Sequence, residues 1–352
     1  MNKKILTVSV AAYNVEAYIR ECLTAFLSLD DLLGEIEVLI VDDGGTDGTR
    51  DIAMEFVNRY PETFKFVHKE NGGWGSTVNT GIELAAGRYF KQLDGDDYYN
   101  PESLKAFIRT LESTDADLVY SPYREFEDGT NKVLDSIAFS GNAVQGEIIT
   151  FGQLDRMASY IAMHSCTFKT ALLQSHQIRL LEHCFYTDSE LYIKAAAFAE
   201  TALIFNQPVY CYRLGRAEQS VSIKGLQKHY LDNVKVIETL IAFERSGLVS
   251  SERQPYIHKY IAGSISWQYI ALIRLRKLDE LRQFDEWVQR DYGYQPSDLQ
   301  QKVIRYRRND FRDAVRLYRS DVRKDEIRAY FRTNPLTAWM YMMLRKMKHR
   351  NG

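Results

Sequence analysis

The chain has 352 residues, of which 45% are hydrophobic and 26% are charged. This composition excludes a disordered chain, and the length suffices for two domains. The segment MNKKILTVSVAAYN has only a strand-length apolar run, and no stretch is long enough to span a bilayer. We therefore expect no signal peptide, no transmembrane helix and a cytoplasmic location.

The cysteines are scattered along the chain without the C-x-x-C spacing of zinc sites. They are Cys22, Cys166, Cys184 and Cys211. This usage indicates neither a zinc site nor a disulfide framework, and it favours a reducing compartment.

The net charge of −2 is unevenly distributed. Residues 301–352 contain 15 Lys and Arg but only 5 Asp and Glu, a local balance of +10, so the rest of the chain carries −12. Such asymmetry is typical of a basic tail that meets an anionic surface, which can be a membrane, a nucleic acid or a phosphorylated substrate.

In chain order, apolar strand patterns alternate with helical ones over the first 120 residues. The predicted strands are 5–12, 36–43, 64–69, 88–94 and 117–123. Helices are predicted after Asn14 and Thr49, each as a candidate N-cap, after the glycine-rich turn near residue 73, and from Pro101. This alternation predicts an α/β fold with a doubly wound, mostly parallel sheet and helices on both faces.

Acidic residues follow two of these strands. Asp42 and Asp43 end the second, and Asp94, Asp96 and Asp97 end the fourth. Ligands of doubly wound sheets bind at the carboxyl ends of the strands. One site can therefore draw on both acidic clusters.

The pattern changes beyond the fifth strand. Residues 125–215 are less regular, with a helix predicted at 188–200 and one or two strands at 201–214. The chain beyond about 222 is predicted to be helical, with segments ending at Gly247 and spanning 258–289. We predict two domains, residues 1–222 and 223–352, with the acceptor side of the first beginning near residue 125.

Three stretches of the first domain have residue types suited to nucleotide chemistry. Asp94 and Asp96 form a DxD motif, whose hard oxygen ligands suit Mg²⁺ or Mn²⁺; the alternative is an acidic turn in which Asp97 or Asn100 caps a helix. In VDDGGTDGT (41–49), Asp42 or Asp43 can accept hydrogen bonds from a base or ribose, unless the stretch is only a tight turn. In ENGGWGSTVNTG (70–81), backbone N–H groups at a helix start favour phosphate, but the stretch matches neither G-x-G-x-x-G nor the P-loop.

In combination the motifs are more specific. VSVAAYNVEAYIRECL, VDDGGTDGT and NGGWGSTVNTGIELAAGRYFKQLDGDD follow one another between residues 8 and 97. This order closely resembles the family 2 glycosyltransferases, which use nucleotide sugars and have the GT-A fold. The specific part of the resemblance covers residues 5–101, and weaker matches extend to about 222.

The resemblance implies roles for individual residues. Ala12, Tyr13 and Glu16 match the loop that lines the nucleotide pocket, and Asp42 and Asp43 match the pair that recognises base and ribose. Asp94, Gly95 and Asp96 match the motif that binds the donor, with Asp94 and Asp96 holding its metal. Asn71, Gly72 and Gly73 belong to the loop beside the donor, residues 71–75, called the donor loop below. The chain departs from the family at Thr77-Val78-Asn79, where many members have Ala-Arg-Asn.

Further candidates lie downstream. The resemblance places the catalytic base at Asp188, after Thr187 where Glu often stands, and this suits a reaction in which a carboxylate takes the acceptor proton; the alternative is a helix N-cap. In YRLGRAEQSVS (212–222), Arg213, Arg216 and Gln219 can steady the donor diphosphate, or the stretch is a polar linker. His164 is either a metal or phosphate ligand or a structural histidine.

The segment NPLTAWMYMMLRKMKHR (334–350) combines Trp, Leu and Met with four basic residues near its end. Such a segment can lie on an anionic membrane, or it can be a final helix packed on the protein. Few aromatics are interleaved with the charge before Trp339, so we expect no nucleic-acid partner.

We therefore expect a GT-A domain followed by a helical region, with the activity of a metal-dependent, inverting glycosyltransferase. The resemblance implies Mn²⁺ or Mg²⁺ as cofactor and a nucleotide sugar as donor, most often a UDP-sugar. It also implies a saccharide acceptor in bacterial surface-polysaccharide synthesis, and this acceptor is lipid-linked if the basic tail meets a membrane.

Two alternatives remain open. One is a nucleotidyltransferase that forms sugar nucleotides, although VAAYNVEAY lacks the usual basic, glycine-rich loop; the other is an inactive sugar-binding protein on the same fold.

Overall fold

The structure is a computed structural model that describes residues 4–130, 132–137, 146–157, 161–215, 223–275 and 277–292. The chain divides into two compact units, Met1–Ala217 and Glu218–Gly352, which are described separately. The predicted contacts of Arg216, Gln219 and the tail segment 334–350 lie outside the described residues.

The described part of the first unit contains twelve strands. They are β1 (Leu6–Ala12), β2 (Ile36–Asp42), β3 (Phe64–His68), β4 (Tyr89–Asp94), β5 (Tyr98–Tyr99), β6 (Leu118–Tyr120), β7 (Tyr123–Glu127), β8 (Val133–Ile137), β9 (Ile148–Thr150), β10 (Cys166–Lys169), β11 (Thr201–Ile204) and β12 (Tyr210–Leu214).

The helices of this unit connect the strands. They are α1 (Ile19–Thr24), α2 (Thr49–Arg59), α3 (Trp74–Leu84), α4 (Pro101–Ser113), α5 (Phe151–Met157), α6 (Thr170–Ser175) and α7 (Asp188–Ala196), with 3-10 segments at Ala25–Glu35 and Met163–Ser165.

Eight strands form the main sheet, in the order β3-β2-β1-β4-β10-β6-β11-β9. The first four are parallel, which confirms the doubly wound prediction for this half. β10 is antiparallel to both of its neighbours, and β9 is antiparallel to β11, so the sheet as a whole is mixed. This is the α/β architecture predicted from the sequence, with flanking helices.

The parallel strands β1, β2 and β4 are buried on both faces, as parallel strands usually are, whereas the edge strand β3 is partly exposed. Every residue of β2 is buried, including Glu37, its second residue. The Glu37 carboxylate accepts hydrogen bonds from the Thr7 hydroxyl at 2.7 Å and the Ala86 N–H at 3.0 Å, and it pairs with Lys65 at 2.5 Å. Its burial is thus offset by a full set of partners.

A second, four-stranded sheet has the order β5-β12-β7-β8. It explains why the prediction of one strand over 117–123 is wrong. The chain forms β6 in the main sheet, passes through Ser121 and Pro122, and continues as β7 in the second sheet. Proline has no N–H to donate to a ladder, so the strand is interrupted where the chain changes sheets.

Two predicted helix caps are also wrong. Asn14 lies in the left-handed region at φ 51° and accepts a hydrogen bond from the Thr46 N–H, while the first helix begins only at Ile19. Thr49 is the first residue of α2, and its hydroxyl accepts from the N–H of Val15. Both side chains join the loops after β1 and β2 instead. By contrast, Pro101 opens α4 as predicted, with the Asn100 side chain as its cap.

The second unit is helical where it is described, as predicted. Its elements are α8 (Ile223–His229), α9 (Asp232–Arg245), α10 (Gln254–Arg274), α11 (Leu278–Trp287) and a π-helical turn at Val288–Tyr292. The predicted segment 258–289 therefore falls on more than one element, since α10 ends at Arg274 and α11 begins at Leu278. Among the described residues, no helix combines the length and the apolar character needed to cross a membrane.

Candidate active site

The register of the parallel strands brings the two acidic clusters together. β1 lies between β2 and β4, with Ala12 opposite Asp42 on one side and Ala11 opposite Asp94 on the other. Both clusters thus flank the carboxyl end of β1, where ligands of such sheets bind.

The loop after β1 is joined to the loop after β2. The Glu16 carboxylate accepts from the Gly48 N–H at 2.9 Å, and the Glu16 N–H donates to Asp47 at 2.9 Å. Just before Glu16 in the chain, Ala12 is buried and Tyr13 is 52% exposed. Ala12, Tyr13 and Glu16, which are predicted to line the nucleotide pocket, therefore belong to a pair of loops joined by hydrogen bonds. This pair, the loops after β1 and β2, is called the double loop below, and it has one exposed aromatic ring, that of Tyr13.

The two aspartates that follow β2 have different surroundings. Asp42 bonds His68 Nδ1 at 2.7 Å and accepts from the Gly45 N–H at 3.1 Å. Asp43 accepts from Lys69 Nζ at 2.9 Å and from the N–H groups of Gly72 and Gly73 at 2.9 and 2.8 Å. Asp43 therefore holds the donor loop in place, and base or ribose recognition by either residue stays a prediction.

The donor loop leads directly into α3. The N-cap of this helix is Gly73, at φ +83°, a conformation that favours glycine. The Asn71 side chain donates to the backbone oxygen of Asp43 at 3.0 Å. Trp74, the first residue of α3, donates from its indole Nε1 to Oδ1 of Asp94 over 2.6 Å. The loop thus contacts both acidic clusters.

Asp94, Asp96 and Asp97 form the DxD turn, residues 94–97, with one carboxylate oxygen from each within 4.8 Å of the others. The glycine of the motif lets this turn approach β1. The Gly95 N–H donates to the backbone oxygen of Ala11 at 2.9 Å, and a Cβ at Gly95 would lie 2.9 Å from that oxygen. A larger residue at position 95 would push the turn away from the sheet.

Asp97 is the buried member of the turn. Its carboxylate accepts from the Tyr210 hydroxyl and from the Arg213 N–H, both at 2.7 Å. Burial, together with the neighbouring Asp94 charge, raises the pKa of Asp97 well above its usual range. Asp94 and Asp96 are partly exposed, so a ligand can reach their carboxylates, and their contact with the donor and its metal stays a prediction.

Carboxylates of this kind fit Mg²⁺ or Mn²⁺. These ions take one or two protein carboxylates and complete their shell with water and phosphate oxygens. Asp94 and Asp96 supply two hard oxygen donors on one turn, and Asp97 keeps the turn folded. The donor set therefore fits the ion that the sequence predicted.

Arg213 lies beneath the DxD turn and is almost fully buried. Its guanidinium donates to the backbone oxygen of Asp96 at 2.7 Å and pairs with Glu21 at 2.5 Å and Asp128 at 3.0 Å. The ring centroids of Tyr18 and Phe126 lie 4.9 and 4.7 Å from it. These contacts give Arg213 a positioning role, and its contact to the diphosphate stays a prediction.

Asp188 begins α7. The N-cap of this helix is Thr187, so the alternative of Asp188 as the cap does not apply. Desolvation raises the pKa of Asp188 to about 6, partly opposed by a hydrogen bond from the Ser189 N–H. A carboxyl group with this pKa is ionised near neutral pH and still basic enough to accept a proton.

The segment before α7, residues 180–183, called the crossing segment below, joins Asp188 to the donor loop. The His183 N–H donates to the Gly72 oxygen at 2.5 Å. The Asn79 side chain accepts from the Leu180 N–H at 2.9 Å and donates to the Leu180 oxygen at 3.0 Å. A Cβ at Gly75 would overlap the Leu181 oxygen and lie 3.2 Å from the Thr187 hydroxyl. The structure thus links the predicted base to the DxD turn through the donor loop.

A buried ion pair anchors the crossing segment to α7. Glu190 pairs with Lys194 at 2.5 Å and accepts from the Leu181 N–H at 2.9 Å, while Lys194 donates to the Arg179 oxygen at 2.9 Å. Sequence reasoning missed Glu190, Asn79 and Trp74. The i, i+4 spacing of Glu190 and Lys194 was a usable signal, since such pairs adjoin on one helix face.

His164 lies among aromatic rings. Its ring centroid is 4.9 Å from that of Tyr123, 4.6 Å from that of Tyr212 and 4.7 Å from that of Tyr210. Burial, with the charge of Lys91 nearby, lowers the pKa of His164 to about 3, so the ring is neutral at physiological pH. These surroundings favour the structural alternative, and a metal-ligand role stays a prediction.

The mixed sheet, with acidic residues at the carboxyl edge of its parallel half, has the architecture that the sequence resemblance predicts for a GT-A fold. Residues 7–176 match the family model described as "Glycosyl transferase family 2". A curated protein of Bacillus subtilis, "Putative glycosyltransferase EpsH", is 30% identical over 250 residues, which are 69% of this chain and 70% of that protein. The chain therefore belongs to glycosyl transferase family 2 and is a glycosyltransferase, which sets aside the nucleotidyltransferase alternative.

Two solved structures share the fold. S. aureus TarS (residues 1–349) in complex with UDP-GlcNAc is 21% identical with a TM-score of 0.51, over 81% of this chain and 92% of that one. The mannosyltransferase PcManGT of Pyrobaculum calidifontis, in complex with GDP-Man and Mn²⁺, is 15% identical with a TM-score of 0.51, over 100% of this chain and 89% of that one. These likenesses concern the fold.

Proposed function

We propose that this glycosyltransferase is metal-dependent and inverting, and that it moves a hexosyl or N-acetylhexosaminyl group from a UDP-sugar to a saccharide acceptor. The observation that carries the proposal is the connection between the DxD turn and Asp188. Trp74 bonds Asp94, and the next residue, Gly75, lies against Leu181 of the crossing segment and Thr187, the N-cap of α7. The residues proposed to bind the donor and the proposed base therefore lie on segments that pack against each other.

Asp188 acts as the general base. Its carboxylate takes the proton from an acceptor hydroxyl while the hydroxyl oxygen bonds the anomeric carbon of the donor. The bond between that carbon and the diphosphate oxygen breaks, and the nucleoside diphosphate leaves with the electron pair. When bound, Mn²⁺ or Mg²⁺ neutralises charge on the leaving diphosphate, and Asp94 and Asp96 are the residues that would hold it.

The donor assignment is supported by what the structural neighbours bind. TarS was crystallised with UDP-GlcNAc and PcManGT with GDP-Man and Mn²⁺. Nucleotide sugars therefore suit this fold, and we assign UDP on the sequence resemblance. The double loop with Tyr13 and the adjacent Asp42 is the proposed site of the base and ribose.

For the acceptor we propose a saccharide, lipid-linked, in the synthesis of a bacterial capsule or cell-wall polysaccharide. The support is compositional. The basic segment 334–350, with its Trp and Met residues, suits the cytoplasmic surface of an anionic membrane, where it would bring the enzyme to a lipid-linked substrate.

A donor screen tests the proposal. Purified protein is incubated with UDP-, GDP- and dTDP-sugars, with and without Mn²⁺, and release of the nucleoside diphosphate is measured. We expect hydrolysis of a UDP-sugar that depends on Mn²⁺ and is lost in Asp94→Asn. Absence of binding and turnover for every nucleotide sugar would instead support the inactive sugar-binding alternative.

A further inference from the structure

We infer that Trp74 is a positioning residue for the metal site, because its indole N–H sets the orientation of the Asp94 carboxylate. The inference rests on the proposed function, since Asp94 is a proposed metal ligand there. Trp74 lies in the glycine-rich stretch, where the sequence resemblance implied roles for Asn71, Gly72 and Gly73 but gave none to Trp74 itself.

The contact is a hydrogen bond to a charged acceptor. The indole Nε1 donates to Oδ1 of Asp94 over 2.6 Å, at the short end for N–H to oxygen. Tryptophan can only donate, and a carboxylate can only accept, so the direction of the bond is fixed by the residue types. The bond constrains the side chain of Asp94 without occupying Oδ2.

The position of Trp74 is itself constrained. Gly73 precedes it at φ +83°, and the Gly73 N–H donates to Oδ2 of Asp43 at 2.8 Å. The chain therefore runs from the carboxylate after β2, through Gly73 and Trp74, to the carboxylate that ends β4. A partly buried indole on a helix start held in this way has little freedom to leave Asp94.

The backbone of the DxD turn has partners of its own. The Tyr210 hydroxyl accepts from the Asp94 N–H at 3.2 Å, and Arg213 holds the Asp96 oxygen. These bonds fix the backbone of the turn. Trp74 instead bonds the carboxylate of Asp94, which we propose to face the ion. Such outer contacts commonly tune metal affinity by ~10 to ~100-fold.

A matched set of variants tests the inference. Trp74→Phe keeps an aromatic ring but removes the N–H. Trp287→Phe makes the same change in the other compact unit, where Trp287 stacks on Phe284. Asp94→Asn removes the carboxylate itself. Melting curves by circular dichroism verify that each variant is folded.

Two binding measurements separate positioning from a merely structural effect. Electron paramagnetic resonance of unbound Mn²⁺ gives the Mn²⁺ dissociation constant at saturating UDP, and calorimetry with UDP in EDTA gives the affinity for UDP without metal. We expect Trp74→Phe to weaken Mn²⁺ binding by ~10 to ~100-fold. Metal-free UDP binding should stay unchanged, and Trp287→Phe should match the wild type in both measurements.

Mn²⁺ binding by Trp74→Phe within about twofold of the wild type, well below the usual effect of an outer contact, would overturn the inference. Equal weakening of metal-free UDP binding would also overturn it, because the indole would then act on the loop as a whole. In both cases Asp94→Asn should still lose Mn²⁺, and the proposed function stands. If Asp94→Asn kept its Mn²⁺, the proposed metal site would be wrong, and the inference with it.

Discussion

The backbone N–H of Arg213 donates to Oδ1 of Asp97 over 2.7 Å, across 116 residues of chain. The Tyr210 hydroxyl donates to the second oxygen of the same carboxylate. β12 thereby holds the DxD turn in place, and the role of Asp97 is structural. The three neighbouring aspartates are therefore chemically unequal, although the sequence presents them as one acidic run.

The first prediction separates Asp96 from Asp97. Asp96→Asn should leave stability nearly unchanged and abolish Mn²⁺ binding in the presence of UDP. Asp97→Asn should lower the free energy of unfolding by about 2 kcal/mol, because its NH₂ group would face one of two buried donors. Urea denaturation and Mn²⁺ binding measured on both variants check this. Equal stability of the two variants would contradict the structural role of Asp97.

The second prediction concerns Asp188. Asp188→Asn should bind UDP and Mn²⁺ like the wild type but transfer sugar at least about 100-fold more slowly, the usual contribution of a general base. Asp51→Asn is the matched control, since Asp51 is an exposed aspartate in the first turn of α2. Equal loss of binding and transfer in Asp188→Asn would assign Asp188 to the donor or metal site.

The third prediction is a pH profile. Because the base must be ionised, and desolvation raises the pKa of Asp188 to about 6, the transfer rate should increase with pH through about 6 and level off above it.

The raised pKa of Asp188 also makes the stability of the protein depend on pH. A folded-state pKa above the unfolded value favours the folded state at low pH, and this advantage is lost as pH rises through about 6.

Asp188→Asn should remove this loss of stability at rising pH, because asparagine has no carboxyl group to ionise. Its melting temperature relative to the wild type should therefore be higher at pH 7 than at pH 4. The measurement is differential scanning fluorimetry of both proteins across this range, with Asp51→Asn as control. A wild-type rate that is flat between pH 5 and 7 would contradict the assignment of this pKa to the base.

The fourth prediction concerns the pair Glu190 and Lys194. Lys194→Met should lower the free energy of unfolding by about 3 kcal/mol, because it leaves the Glu190 carboxylate buried without its cation. The double variant Glu190→Gln, Lys194→Met should be milder than the sum of the single changes. Urea denaturation of the four proteins gives this double-mutant cycle, and simple additivity would show that the ion pair is not coupled.

The fifth prediction compares two glycines. Gly75→Ala should impair transfer strongly, because its Cβ would overlap the Leu181 oxygen and displace the crossing segment that leads to Asp188. Gly34→Ala is the control, since nothing lies within 4 Å of its Cβ position. That variant should stay within about 0.5 kcal/mol of the wild type in stability. Transfer rates and unfolding curves of both variants decide the matter.

Much of the first half of the fold was predictable because its signals are local. Uninterrupted apolar runs indicate buried parallel strands, and β1 to β4 lie within about one residue of the predicted bounds. The acidic residues at the ends of these strands could be placed at one edge because parallel strands share a direction. Pro101 with Asn100 is an equally local signal, and it predicted the start of α4 correctly.

The remaining features depend on partners distant in the chain. Asn14 and Thr49 are good cap residues by type, but each bonds the opposite loop, which no local pattern indicates. The split of the fifth strand follows from the second sheet, whose members β5, β7, β8 and β12 come from separate stretches. The hydrogen bond from Trp74 to Asp94 depends on the three-dimensional course of the donor loop, which no local sequence pattern indicates.

The crossing segment also has a consequence for the order of folding. Asn79 and Leu180 bond each other across 101 residues, and His183 bonds Gly72. Contacts of such sequence separation are slow to form, because a long loop has to be closed at a cost in conformational entropy. A nascent polypeptide that has emerged only as far as residue 176, where the family match ends, already contains every acidic residue of the parallel edge. It still lacks the crossing segment, so the contact of that segment with Gly72 forms only after residue 183 has been synthesised.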